Sequence, residues 1–220
     1  MAQRSYNQFC ALAFALDLIG ERWTLLIIRE LLTGPKRFTD LQEGLPGIST
    51  NLLSERLKTL EQHGLARRRT LPPPAASMVY ELTDVGAALE SAMLALGQWG
   101  SRFLPPSLDG LALPSAGAMA LAIKAFFRTA QARGVRETYE LHLDEAVLTV
   151  AVDDGNIDVR QGETSHPDAV IHTQMPVFVA LFAGQMTPDD ALSGGLVRID
   201  GEQQALQRFL SLTGVEAPAA

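Results

Sequence analysis

The sequence predicts two domains of different class: a mainly α domain built around a helix-turn-helix and a β-hairpin, then an α+β domain in which helices pack on an antiparallel sheet. Three observations predict this. Apolar residues recur at helical spacing up to about residue 103, with one hairpin-like stretch among them. The segment "LPPSLDGLALPSAG" (104–117) then crowds Pro, Gly and Ser between two apolar-periodic stretches, as an interdomain connection does. Beyond it, short segments alternate apolar and polar residues at period two, the pattern of half-buried strands. The expected boundaries are therefore 1–104, a linker at 105–117, and 118–220.

The 220 residues suffice for two small domains that each bury a core. With 47% hydrophobic and 20% charged residues the composition is globular, and no apolar run approaches the roughly 18 residues of a membrane span. The opening "MAQRSYNQFCALAFALDLIGERW" has an apolar run cut short by Asp17 and no small-residue cleavage site, so no signal peptide and a cytoplasmic location are expected. Cys10 is the only cysteine, which excludes an internal disulfide and a multi-cysteine zinc site and fits a reducing compartment. The net charge of −7 is uneven: residues 1–104 hold 11 basic and 10 acidic side chains, whereas 105–220 hold 7 and 15. Within 46–69, five basic residues (Arg56, Lys58, Arg67, Arg68, Arg69) stand against two acidic ones (Glu55, Glu61), the local patch that phosphate contact requires.

In "DLIGERWTLLIIRELLTGPKRF", Trp23, Leu26, Ile27 and Leu31 at helical spacing predict a core-facing helix stopped by Gly34 and Pro35. "RFTDLQEGL" predicts a short helix with Phe38 and Leu41 on one face, and "PGIS" the turn after it. Ser49 then caps a third helix with Leu53, Leu57 and Leu60 as its buried stripe and Gly64 at its end. "LARRRTLPPPAASMVYELT" predicts two strands around a proline-rich tip that cannot continue a ladder. After Thr83, which can cap, residues 84–103 predict one long helix with Val85, Leu89, Ala92, Leu96, Trp99 and Phe103 on one side. This apolar helix is surplus to the domain core and suggests a partner chain.

In the second domain "AMALAIKAFFRTAQARG" predicts a helix carrying Phe126 and Phe127. "ETYELHLD", "EAVLTVAVDD", "NIDVRQGE" and "DAVIHTQ" predict a four-strand antiparallel meander with a tight turn at "DDGN". "MPVFVALFAGQM" predicts a helix, Thr187 with Pro188 caps a short one, "LVRIDG" is a further strand and "EQQALQRFLSLTG" a last helix.

Helix, turn, helix and hairpin, with basic residues on the third helix and the hairpin, form a winged helix-turn-helix arrangement. A helix fits the major groove of B-DNA, where short polar side chains reach base edges and cations meet phosphates. Thr50, Asn51, Ser54 and Lys58 are the base-edge and phosphate candidates away from the leucines, with Ser49 at the cap and Arg56 on a flank. Arg67, Arg68 and Arg69 alternate along a strand, so at most two share a side. The opposing reading is that such helices are ordinary solvated faces and the arginines serve solubility.

The order of these elements resembles the HxlR-type winged-helix transcription regulators of bacteria. The resemblance rests on Cys10, "LIGERW" (18–23), "RF" with Leu41, "GIS" (47–49), "LSERLKTLEQHGL" (53–65) and "YELTDVG" (80–86). It implies a homodimer, paired through residues 84–103 and the N-terminal segment, on two-fold related double-stranded DNA. Ala11, Glu21 and Arg22 depart from the family's proline after the cysteine and glycine-lysine pair before the tryptophan, and the tip "PPPAAS" is unusual. The family also suggests Cys10 as a redox or electrophile sensor. Its apolar neighbours Phe9 and Ala11 favour instead a buried, structural cysteine.

From about Thr138 to Thr213 the pattern resembles the sterol carrier protein 2 family, through the meander, "PDAVIHTQMPVFVALFAGQMTPDDALSGGLVRIDG" and "ALQRFL". This resemblance implies an apolar cavity for a fatty acyl chain, sterol or similar ligand, with Phe126, Phe127, Phe178, Leu181, Phe182, Leu206 and Phe209 as candidate lining residues. The same residues at helical spacing also read as plain core. Joining the two domains gives the hypothesis that such a ligand controls DNA binding; the alternative is a dimerisation or protein-contact module with a closed core. A lipid or acyl carrier that uses the helix-turn-helix as a dimer scaffold is the alternative function. His63, His142, His166 and His172 fall in no metal or catalytic motif, and neither a cofactor nor an enzyme activity is expected.

Overall fold

Apolar side chains three and four apart fold the first half of the chain into short helices that bury one face each. The computed structural model describes residues 5–73, 76–105 and 107–215, and the chain divides into two units, Met1–Met93 and Leu94–Ala220. The first contains α1 (Ala11–Ile19), α2 (Thr24–Leu31), α3 (Phe38–Glu43), α4 (Thr50–Gln62), the hairpin β1 (Ala66–Thr70) with β2 (Met78–Leu82), and α5 (Asp84–Ala87); α6 (Glu90–Gly100) begins at its end. Ile27, Ile28, Leu31, Leu41, Leu45, Leu53, Leu57 and Leu60 are its buried centre. Leu26, expected in the α2 stripe, is 41% exposed; Ile27, Ile28 and Leu31 set the inward face, and Leu26 stands about 100° from Ile27. Trp23, expected in that stripe too, precedes the helix with a left-handed backbone (φ 79°). Gly34 (φ 118°) lies just beyond α2, and Gly64 (φ 67°) just beyond α4, where left-handed backbone is required.

The root of the wing is stitched to the helix-turn-helix by the backbone of Lys36, which donates to Tyr80 O at 2.9 Å and accepts from Tyr80 N at 2.7 Å. The Lys36 side chain is buried, and that burial pushes its pKa down against the opposing pull of the Glu30 and Asp40 carboxylates.

Residues 84–103 do not form the single long helix expected. Thr83 caps α5, its hydroxyl accepting from Gly86 N at 3.2 Å and donating to Gly64 O at 2.6 Å, and a turn at Ala88–Leu89 separates α5 from α6. The reason is close backbone approach: a Cβ on Gly86 would lie 2.0 Å from the Leu65 carbonyl oxygen, so α5 is held against the start of the hairpin. A 3-10 turn over Ser101–Phe103 follows α6. The stripe beyond the break is open: Leu96, Trp99 (57% exposed) and Phe103 (70% exposed) face solvent, with the last two rings 5.0 Å apart. Leu12, Phe14, Leu16 and Leu18 of α1 are exposed as well.

The second unit contains α7 (Ala116–Ala125), β3 (Arg136–Leu143), β4 (Ala146–Asp153), β5 (Asn156–Gln161), β6 (Ala169–Thr173), α8 (Met175–Phe182), α9 (Pro188–Ser193), β7 (Val197–Gly201) and α10 (Ala205–Thr213). Sheet order is β5-β4-β3-β6-β7. The expected four-strand meander holds for β3, β4 and β5, with Asp154 (φ 46°) and Gly155 (φ 83°) in the two-residue turn. It fails at β6, which runs parallel to β3 and pairs antiparallel with β7. Residues 162–168 carry the chain from edge strand β5 to the far side of β3. They are held on the way by Thr149 Oγ1 donating to Gly162 O at 2.8 Å and by Asp168 N donating to Thr138 O at 2.8 Å. The chain therefore re-enters the sheet along the direction of β3.

One face of the sheet presents Tyr139, Leu141, Leu148, Val150 and Ile171 to Phe178, Leu206 and Phe209 of the helices. Phe209 is fully buried with its ring 5.2 Å from that of Tyr139, whose hydroxyl is satisfied by Glu137, itself paired to Arg208 at 3.0 Å. Phe209→Ala will destabilise this unit by about 3–5 kcal/mol, read as a lowered denaturant midpoint in urea unfolding followed by circular dichroism.

Candidate nucleic-acid interface

The outward face of α4 follows from its inward one. Leu53, Leu57 and Leu60 are fully buried, which leaves Asn51 and Lys58 exposed away from that stripe and Ser54 exposed at its border; Thr50, seven positions before Leu57, lies on the leucine side and is exposed because it is the first residue of the helix. Ser49 opens the helix, its hydroxyl accepting from Leu52 N at 3.3 Å, which leaves the positive end of the helix dipole at Thr50 and Asn51. Among the described residues Lys58 makes no ion pair, so its ammonium is available to an external anion.

Arg56 is elsewhere. It was expected on the flank of this face, but its side chain is only 13% exposed. It bonds to Arg22 O at 3.2 Å, Glu21 Oε2 at 3.1 Å and Glu55 Oε1 at 3.2 Å.

On the wing, Arg67 and Arg69 share one side, both pairing with Glu81 at 2.8 and 2.9 Å. Arg68 points the other way, towards α4, where it pairs with Glu61 at 3.0 Å and lies 5.4 Å over the Tyr80 ring. The tip "PPPAAS" includes Pro74 and Ala75, which lie outside the described residues.

Sequence reasoning missed Arg37. It caps α3, its Nε donates to Ser77 Oγ of the wing at 3.1 Å, and it is exposed, a cation set between helix-turn-helix and hairpin. Its sequence signal is a basic residue directly before a short amphipathic helix. What brings it beside the wing is a pairing forty residues distant, which no local pattern carries.

Cys10 is exposed, not buried as its neighbours suggested. It sits at the start of α1 on an open apolar surface shared with Phe9, Ala11, Phe14, Ala15 and Leu18. The helix buries only Ala13, so apolar flanks here do not mean an apolar interior.

In the second unit Phe178, Leu181, Phe182, Leu206 and Phe209 are buried in one cluster, with Phe126 and Phe127 partly buried against it. His142 and His172 meet across the parallel pair on the opposite face of the sheet, with ring centroids 4.6 Å apart. His142 Nε2 lies 2.7 Å from Glu140 and His172 Nε2 lies 3.0 Å from Asp200. Among the described residues no group of three or more His, Cys, Asp and Glu is arranged to hold a metal ion. Nor is any helix there long and apolar enough to cross a membrane.

Helix, turn, exposed polar helix and hairpin define a winged helix-turn-helix module, joined here to an α+β domain. Residues 18–108 match the HxlR-like helix-turn-helix model and residues 124–213 the SCP-2 sterol transfer family. The chain belongs to the HxlR-like family of helix-turn-helix transcriptional regulators. It is 41% identical over 92 residues to the HTH-type transcriptional regulator YodB of Bacillus subtilis (strain 168), covering 42% of this chain and 82% of that protein. It is 38% identical over 93 residues to the uncharacterized HTH-type regulator YvaP of the same organism, covering 42% and 86%. The reduced form of YodB superposes with a TM-score of 0.39 at 39% identity, over 46% of this chain and 99% of that one.

The Glu140 carboxyl is subject first to burial, which works to raise its pKa. The Thr164 N–H at 2.8 Å and the His142 imidazole outweigh that and hold it below the ordinary value of 4.5. A depressed folded-state pKa contributes stability above the ordinary value that is lost as the pH falls through the folded one. The stability advantage of wild type over Glu140→Gln will therefore shrink as the pH is lowered from about 6 to 3, measured by urea unfolding at each pH.

Proposed function

We propose that the chain regulates transcription by binding specific double-stranded DNA as a homodimer, with α4 in the major groove and the wing along the adjacent backbone. The observation that carries this reading is the exposed set Thr50, Asn51, Ser54 and Lys58 on a Ser49-capped helix, Thr50 at its first turn and the others beside or away from the buried stripe of Leu53, Leu57 and Leu60. Arg37, Arg67 and Arg69 supply phosphate contacts, and Arg68 backs the wing against α4. Exchange of Glu81 for phosphate lets Arg67 and Arg69 engage DNA without leaving a charge unpaired beforehand.

The second copy covers the exposed apolar faces of α1 and of α6 with its following turn. Trp99→Asp will shift the protein towards monomer in sedimentation velocity at fixed concentration. Cys10, being exposed and the only cysteine, serves as a thiol sensor whose disulfide must join two chains. The SCP-2-like domain takes an apolar effector, which enters by parting the Phe178–Leu206–Phe209 packing and so selects between two states of the domain. The match to a sterol transfer family supports a second reading, a lipid carrier in which the helix-turn-helix is a dimer scaffold.

Salt separates the two. The test is fluorescence anisotropy on a duplex that the wild-type protein enriches from a randomised pool, beside an unselected duplex, over a salt series. Steep weakening with salt on the enriched duplex, a log-log slope flattened by about 1 in Lys58→Ala, and relaxed sequence preference in Asn51→Ala are expected. A pool with no enriched sequence, or binding indifferent to Lys58→Ala, transfers the assignment to the carrier.

A further inference from the structure

We propose that Arg56 is a positioning residue for DNA recognition: it clamps α4 to the turn between α1 and α2 and touches no DNA. This rests on the reading that α4 meets the duplex. Two residues along a helix is 200°, so Arg56 projects about 160° away from Lys58. Its side chain is 13% exposed and its guanidinium spends three hydrogen bonds inside the protein, two of them on residues more than thirty positions away, Arg22 O and Glu21 Oε2. Glu21 is itself mostly exposed, so the ion pair alone is weak; the bond to the Arg22 carbonyl and the packing of a side chain only 13% exposed add to it.

The turn it grips is unusual. Trp23 is held in left-handed backbone, a conformation that persists for a bulky residue only where the surroundings enforce it. The Arg22 guanidinium lies 5.7 Å over the Trp23 ring, and the far edge of the indole is 3.9 Å from where a Cβ on Gly47 would sit, two residues before the Ser49 cap. One turn thus meets α4 at its approach, through Trp23, and at its middle, through Arg56. The angle at which Thr50, Asn51, Ser54 and Lys58 stand out from the protein is set by these two contacts. A helix entering a groove tolerates little change in that angle before base-edge hydrogen bonds are lost, whereas phosphate contacts by flexible cations survive it.

Arg56→Ala, Arg56→Met and Arg56→Lys test this on the full chain, by anisotropy on the enriched and unselected duplexes over a salt series, with thermal unfolding alongside. Arg56→Met keeps the covered stem without the donors, so it serves if the alanine variant does not fold. The clamp predicts a loss of roughly tenfold on the enriched duplex for Ala and Met, the middle of the range in which contacting residues couple. It predicts little loss on unselected DNA and an unchanged salt slope, with Lys intermediate because one ammonium cannot reproduce the fork. A slope flattened by about 1 with equal losses on both duplexes, and rescue by Lys, would make Arg56 a phosphate contact instead. A lowered unfolding temperature with discrimination intact, measured well below that temperature, would make it merely structural. Wild-type binding in all three variants overturns the clamp alone if Lys58→Ala still weakens binding, and the DNA reading with it if Lys58→Ala does not.

Discussion

Burial of Leu53, Leu57 and Leu60 determines which side of α4 water and a ligand can reach, and the first unit is arranged around that seal. At 3.6 residues per turn three leucines at these spacings define a stripe, and the polar residues between them have one place to go. The neighbours then complete the arrangement. Ser49 ends the approach with a cap, Ile27, Ile28 and Leu31 of α2 share the same core, and the Leu65–Gly86 approach brings α5 back against the hairpin. Replacing any of the leucines by a polar residue would release α4 from the core.

Charge is managed on top of that seal by pairing. Each wing arginine has an acidic partner, Glu81 for Arg67 and Arg69 and Glu61 for Arg68, so the hairpin stands ordered before any polyanion arrives. The arginine ends of these pairs are half-exposed or more, whereas Glu81 and Glu61 are 13% and 25% exposed, so the carboxylates depend on the pairing more than the cations do. Lys58 and Arg37 have a different standing, the first without an ion pair among the described residues and the second with its side chain donating to the neutral Ser77 hydroxyl and its backbone N–H donating to the Asp40 carboxylate. The overall negative charge of the chain comes from the second unit and does not describe this surface.

The two faces of the sheet in the second unit differ in character. The inner face is an aromatic and aliphatic packing problem, solved around Tyr139, Phe178 and Phe209. The outer face carries the crossing segment 162–168 and the paired imidazoles, each with its carboxylate. The parallel pairing of β3 with β6 connects the two, because it stacks His142 on His172 and points Leu141 and Ile171 together into the core.

Most of the architecture was legible in residue order because it is local. The Ser49 and Thr83 caps, the α4 leucine stripe, the two-residue turn at Asp154–Gly155 and the alternation of the strands depend on neighbours within a few positions. What was misread depends on distant contacts. The break at Ala88–Leu89 comes from a backbone approach by Leu65, the direction of β6 from a crossing over the sheet, and the exposure of Cys10 from the single alanine with which α1 meets the core. Arg56 and Lys58 are the sharpest case. Two positions apart, they stand about 160° apart around α4, and the sequence by itself placed Lys58 away from the leucines and Arg56 on a flank without showing which of the two cations the protein itself consumes. Tertiary structure decided between them, because Glu21 and the Arg22 carbonyl reach Arg56 from more than thirty residues away and satisfy it inside the protein, while nothing described folds back to meet Lys58.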